Sequence, residues 1–268
     1  MTTIGSPGLL DRGARPGTLG VVVIVVGVAI GAAALADWLL RGWAFIDGPA
    51  LLLAFALIGL PLEQARRRAF DRRIAHVLTP WAAKRGLVFQ PSANNPRTTP
   101  TLDKKGVLRA VMVGHVGGDP NGFLAHYSYA VQSGKHSYTV WLSVAVARFE
   151  GRSGLRLRIG PTTPLAGSGY GLFDDWHGFD IGSAEVDEEY IVETKEGSDP
   201  VQVLELLDPV VLVGLIDAPL VPLIEIDNGT LFVAYGGRFG IDGGVEDLSW
   251  FECLRDEADR WGGRIHAI

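Results

Sequence analysis

Two apolar runs near the start of the chain constrain it more than any other feature. Leu19–Ala36 is 18 residues without a charge. As a helix it spans about 27 Å, close to the ~30 Å hydrocarbon core of a bilayer. Gly48–Leu62 follows after a short turn and spans about 22 Å as a helix, a little short of that core. Trp38 and Trp43 lie between the runs, where interfacial aromatic residues belong, and Pro61 weakens the second helix near its exit. Residues 18–62 are therefore expected to form a transmembrane helical hairpin. Gly27 and Gly31 put a small-residue stripe on one helix face, suited to packing against the second span or another copy. A cleaved secretory signal is the competing reading: Arg12 and Arg15 precede the first run and Ala34-Leu35-Ala36 ends it. The run is too long for that, and a second follows directly.

Basic residues set the expected orientation. Arg12 and Arg15 precede the hairpin, and Arg41 alone lies between the runs. Arg66, Arg67, Arg68, Arg72, Arg73, Lys84 and Arg85 follow it. The positive-inside rule then puts both termini in the cytoplasm and the protein in the inner (plasma) membrane, with the lipid bilayer as its first partner. The single cysteine, Cys253, fits a reducing compartment.

Charge divides the chain further. The net charge is −6, but residues 62–85 carry +5 and residues 86–268 carry −11. The acidic part argues against nucleic acid as a partner. The expected organisation is a flexible tail (1–17), the hairpin (18–62), a basic amphipathic neck (63–86) and a soluble α+β domain (87–268). In the neck, Phe70, Ile74, Val77 and Trp81 share a helical face. That face suits either the domain or the membrane interface. Thr79-Pro80 reads as the cap and first position of a new short helix through Arg85, ended by Gly86.

Beyond the neck the pattern turns to strands. Leu87–Gln90 begins the sheet, and residues 91–105 read as a loop. Val107–Val116 is a strand. Phe123–Val131 and Ser137–Phe149 form the clearest hairpin. A two-residue loop at Gly134-Lys135 pairs Val131 with Tyr138, Tyr129 with Val140 and Tyr127 with Leu142, which puts both apolar sets on one side. The other face carries His126, Ser128, Thr139 and Trp141 and reads as partly buried. Leu155, Leu157 and Ile159 alternate with Arg156 and Arg158 in the next strand. Residues 160–180 read as a long irregular loop, and Glu188–Thr194 as a strand. Asp199-Pro200 and Asp208-Pro209 start two short, mostly buried helices, Val201–Leu207 and Val210–Ile216. Asp227-Asn228-Gly229 joins Val221–Ile226 to Thr230–Tyr235. Val245, Leu248, Phe251, Leu254, Ala258 and Trp261 mark a final amphipathic helix ending at Gly262. Strands cluster rather than alternate with helices, so the class is α+β with a mainly antiparallel sheet covered by helices.

No motif commits the chain to a reaction, and the reading leans away from an enzyme. No catalytic, metal-binding or cofactor-binding residue is assigned. Gly167-Ser168-Gly169-Tyr170-Gly171 lacks the strand and helix that a phosphate loop needs. Asp174, Asp175, His177 and Asp180 group oxygen and nitrogen donors, but their spacing fits no established metal pattern. His115, His126 and His136 read as sheet residues, and Cys253 as a packing residue.

The two-span hairpin, the arginine neck and the runs LAHYSYAVQSGKHSYTVWLSVAVARF and EEYIVETKEGSDPVQVLELLDP together resemble actinobacterial membrane-anchored proteins of unknown function. The likeness covers residues 18–160 and 188–262, and segment 160–180 departs from it. It implies an anchored α+β domain and supplies no activity. The expected role is a partner-binding or accessory domain tethered to the membrane, with self-association through the Gly27/Gly31 face as one form. The alternatives are a membrane-anchored hydrolase or metal-dependent enzyme using the 160–180 loop, and an anionic-lipid sensor working through the arginine neck.

Overall fold

A computed structural model describes residues 65, 69, 71–133, 135–150, 154–162, 176–218, 221–236 and 248–267. The chain divides into two compact units, Met1–Arg72 and Arg73–Ile268. The tail, the hairpin with its Gly27/Gly31 face, the first arginines of the neck, the Gly167–Gly171 run, Asp174 and Asp175 lie outside the described residues. Among the described residues no helix is long and apolar enough to cross a membrane.

The second unit is α+β. Nine described strands form one antiparallel sheet: β1 (Val88–Ala93), β2 (Val107–Val116), β3 (Asp119–Ser133), β4 (His136–Arg148), β5 (Leu157–Pro161), β6 (Trp176–Gly178), β7 (Tyr190–Lys195), β8 (Leu223–Asp227) and β9 (Thr230–Gly236). Their spatial order is β1-β2-β3-β4-β9-β8-β5-β7-β6. The first four strands form a meander, and β9 then inserts beside β4, pairing Val146 with Phe232.

The β3–β4 register is the expected one, with Val131 opposite Tyr138, Tyr129 opposite Val140 and Tyr127 opposite Leu142. Ala125, Tyr127, Tyr129, Val140, Leu142, Val144 and Val146 all join one apolar cluster with Phe232 and Ala234 of β9. The β8–β9 turn is also as expected. Asn228 (φ 49°) and Gly229 (φ 67°) take the two left-handed positions of a tight hairpin turn.

Helices cover the opposite face, all but the short one at Pro100–Asp103, whose Leu102 joins the Tyr127 and Leu142 cluster. Residues 71–83 are helical (α1), followed by α2 (Pro100–Asp103), α3 (Ala184–Glu189), α4 (Pro200–Leu206), α5 (Pro209–Ile216) and α6 (Ser249–Ala267). Within the second unit, Ile74, Leu78, Trp81 and Ala82 of α1 are core residues, so this stripe packs on the sheet domain. The helix runs through Thr79-Pro80 rather than restarting there. Leu78 and Trp81 on either side are both buried, and this packing outweighs the one backbone bond that proline removes.

The last helix also outruns its expected end. It continues through Gly262 and Gly263 to Ala267, because Ile265 extends the buried stripe of Phe251, Leu254, Ala258 and Trp261. Gly262 acts as a contact rather than a stop: a Cβ there would strike the carbonyl of Gly117. Gly117 and Gly118 form the β2–β3 turn at φ 60° and 83°. The Gly117 N–H donates to Asp259 Oδ1 at 2.6 Å, which ties that turn to α6. Ala145 and Ala147 of β4 join the core on the same face. This close seat explains a further correction: His126 is buried, with its ring edge-on to Phe251 at 5.1 Å.

Three more expectations change. Residues 91–105 hold the end of β1 and the helix α2 instead of loop alone, with Thr99 capping α2 and Pro100 opening it. Segment 160–180 contains β6, paired to β7 from Trp176 to Gly178. Glu188 and Glu189 end α3, and the strand starts at Tyr190.

Glu257 lies on the buried side of α6, accepting from Trp261 Nε1 at 2.8 Å and facing Arg260 Nη1 at 3.1 Å. Burial holds its carboxyl above the ordinary range, with Arg260 and the Trp261 N–H pulling the other way. An acid whose folded pKa exceeds its unfolded one binds its proton more tightly when folded. Its ionisation therefore costs stability at high pH, and the cost fades as pH falls through the folded value. Glu257→Gln keeps the acceptor for Trp261. It is expected to melt above the parent at about pH 8, with the gap closing towards about pH 5. Paired thermal melts across that range check it.

Candidate functional site

The main polar feature of the described residues is a row of charges across three neighbouring strands. Leu157 and Ile159 of β5 point into the helix-covered core, so Arg158 between them points to the other face. There it lies opposite Glu193 of β7 and Glu225 of β8. Arg158 Nη1 is 3.3 Å from Glu193 Oε2, and Arg158 Nε is 3.4 Å from Glu225 Oε1. Arg158 is 1% exposed, Glu225 0% and Glu193 8%. A second row lies two residues along, where Arg156 Nε is 3.6 Å from Asp227 Oδ1. Burial raises the Asp227 carboxyl, against Lys195, the Asn228 N–H and Arg156.

A strap closes over this row. Thr101, in α2, donates its N–H to Glu225 Oε2 at 2.9 Å and its hydroxyl to Glu225 Oε1 at 2.7 Å. Asn95 Nδ2 donates to the Leu102 carbonyl at 2.6 Å, and the Tyr127 hydroxyl lies 2.8 Å from the Lys104 carbonyl. Leu102 itself is fully buried. Burial raises the Tyr127 hydroxyl well above its usual range. It lowers Lys104, with Glu225 opposing and Arg158 adding to the fall. A carboxylate with no exposure, held by two donors and a guanidinium, offers nothing to a solvent-borne substrate. Chemically the row is a fastening that joins the strap to the sheet.

Among the described residues, those considered from sequence do not converge. His177 is exposed on β6, and Asp180 Oδ1 accepts from the Gly182 N–H at 2.8 Å, a turn contact. His115 and His136 are exposed and Cys253 is half-buried. Ser143 Oγ lies 3.2 Å from His126 Nδ1, but both are buried, and Phe251 packs on the His126 ring. Among the described residues no group of three or more His, Cys, Asp or Glu side chains is placed to hold a metal ion.

Sequence reasoning missed the surface that faces outward. Asp199 and Asp208 do cap α4 and α5, accepting from the Val201 and Val211 N–H groups at 2.9 Å each. The helices are not mostly buried, however. Val203, Leu206, Val211 and Leu215 enter the core, while Val201 (60% exposed), Leu204 (52%), Val210 (66%) and Val213 (56%) face away from it. Each exposed pair is spaced i, i+3, so each helix presents an apolar outer face. The signal is present in PVVLVGLI, which has no polar residue to turn towards water. Comparison with protein-family models, with curated proteins and with solved structures finds no match.

Proposed function

We propose that this chain is a two-span inner-membrane protein with both termini in the cytoplasm, and that its acidic α+β domain is a non-enzymatic module that binds a protein partner at the membrane. One observation carries the binding role: Val201, Leu204, Val210 and Val213 stand exposed on two capped helices. Apolar helix faces left towards water are a recurring mark of interaction sites. The membrane placement rests on the Leu19–Ala36 and Gly48–Leu62 runs and the arginines that follow them.

The test is photo-crosslinking in native membranes with the full chain. A probe placed at Glu205 is expected to recover a discrete adduct heavier than the monomer. Recovery of monomer alone would remove the binding role. Carbonate extraction that freed the chain, or a carboxyl-terminal reporter active only outside the cell, would remove the membrane placement.

A further inference from the structure

Building on the partner-binding role, and dependent on it, we infer that the outer faces of α4 and α5 dock a cationic amphipathic helix of a partner protein. That helix carries an apolar i, i+3/i+4 stripe flanked by lysine or arginine.

The apolar faces and the charge around them select this occupant together. Residues 196–218 contain Glu196, Asp199, Glu205, Asp208 and Asp217 and no lysine or arginine. Asp199, Glu205 and Asp217 are exposed. Asp208 is the exception, pairing with Arg264. From α6, Arg260 reaches α5 beside Gly214 but is paired with Glu257, so a partner that covers Val201, Leu204, Val210 and Val213 still meets a net negative rim. An anionic bilayer surface is repelled by it, as is an acidic protein. A helix with its own apolar stripe and basic flanks matches both features, the valine and leucine faces through burial and the rim through complementary charge. Charge complementarity of this kind sets the rate of encounter and excludes wrong partners, while the apolar contacts hold the complex.

The experiment uses the full chain in nanodiscs of neutral lipid. The probe is a fluorescent 18-residue helix with leucines at i, i+3, i+4 and i+7 and lysines elsewhere, and its control carries glutamates for lysines. The chain is expected to bind the lysine peptide and not the glutamate peptide. Val210→Ser/Val213→Ser should weaken binding about tenfold without moving the Tm, since both side chains are already exposed. Glu205→Gln/Asp217→Asn should weaken it at low salt and flatten its salt dependence. Equal binding of both peptides, or variants that bind like the parent, would overturn the assignment. So would anionic phosphatidylglycerol vesicles binding the parent chain and losing the Val210→Ser/Val213→Ser variant, which would make the bilayer the occupant. If crosslinking in native membranes recovers a partner that the serine variant still captures, this docking face fails while the broader binding role stands.

Discussion

Arg158→Ala is expected to destabilise the sheet domain by about 3–5 kcal/mol, enough to lower its Tm by roughly 10 °C or more. The loss comes less from the broken pairs than from what remains. Glu193 and Glu225 stay on the two strands that flank β5, buried, with the guanidinium between them gone. Both carboxyl groups are then left desolvated with no counter-charge, which costs more than the lost contacts themselves. Urea melts of the full chain measure the loss. Arg158→Met combined with Glu193→Leu and Glu225→Gln separates the contributions. It removes every charge from the row yet leaves an acceptor for the Thr101 N–H. Recovery close to the parent would mean that the charges specify which segment docks there rather than stabilise it; failure to recover would mean the ion pairs themselves hold the sheet.

The second large effect is expected at Gly262. Helix propensity alone predicts that Gly262→Ala stabilises α6 by about 1 kcal/mol. Packing predicts the reverse, and packing should win. The new methyl would meet the Gly117 carbonyl, a backbone atom in a turn held by Gly117 and Gly118 at positive φ and by the Asp259 carboxylate. Overpacking against a group that cannot move aside costs about 1–3 kcal/mol or more. Gly263→Ala is the matched control. A Cβ at Gly263 meets nothing within 4 Å, so that variant should gain close to the full propensity term. Opposite Tm shifts from adjacent glycines, read by thermal melts, would establish that α6 is seated by contact at its fourth turn. Two stabilising substitutions would refute it.

Whether a feature is legible in the sequence depends on whether a residue's partner lies near it in the chain. The β3–β4 register can be read because Tyr127–Val131 and Tyr138–Leu142 flank their own turn. The Asp-Pro caps of α4 and α5 can be read because a cap bonds within three residues. Arg158 cannot. In the string Leu155–Ile159 it alternates like a residue on a solvated face. Its burial depends on Glu193, Glu225 and Thr101, from three distant segments. His126 misleads for the same reason, since Phe251 covers it from 125 positions away. At Gly262 a local rule, glycine as a helix stop, loses to a tertiary contact. For α4 and α5 the error runs the other way: apolar residues are taken to be inside, although that rule holds only in one direction.

The late insertion of β9 between β4 and β8 bears on how the protein is made. Translation proceeds at about 5–20 residues per second, so the β1–β4 meander leaves the ribosome several seconds before residues 230–236 exist. Throughout that interval the far side of β4 is an open ladder of hydrogen-bonding groups, the kind of edge that recruits other nascent chains. The strap is in the same position, because Thr101 must wait for Glu225 to be synthesised 124 residues later. Holding neighbouring nascent chains apart during those seconds is therefore a requirement on the cell that the finished fold no longer reveals.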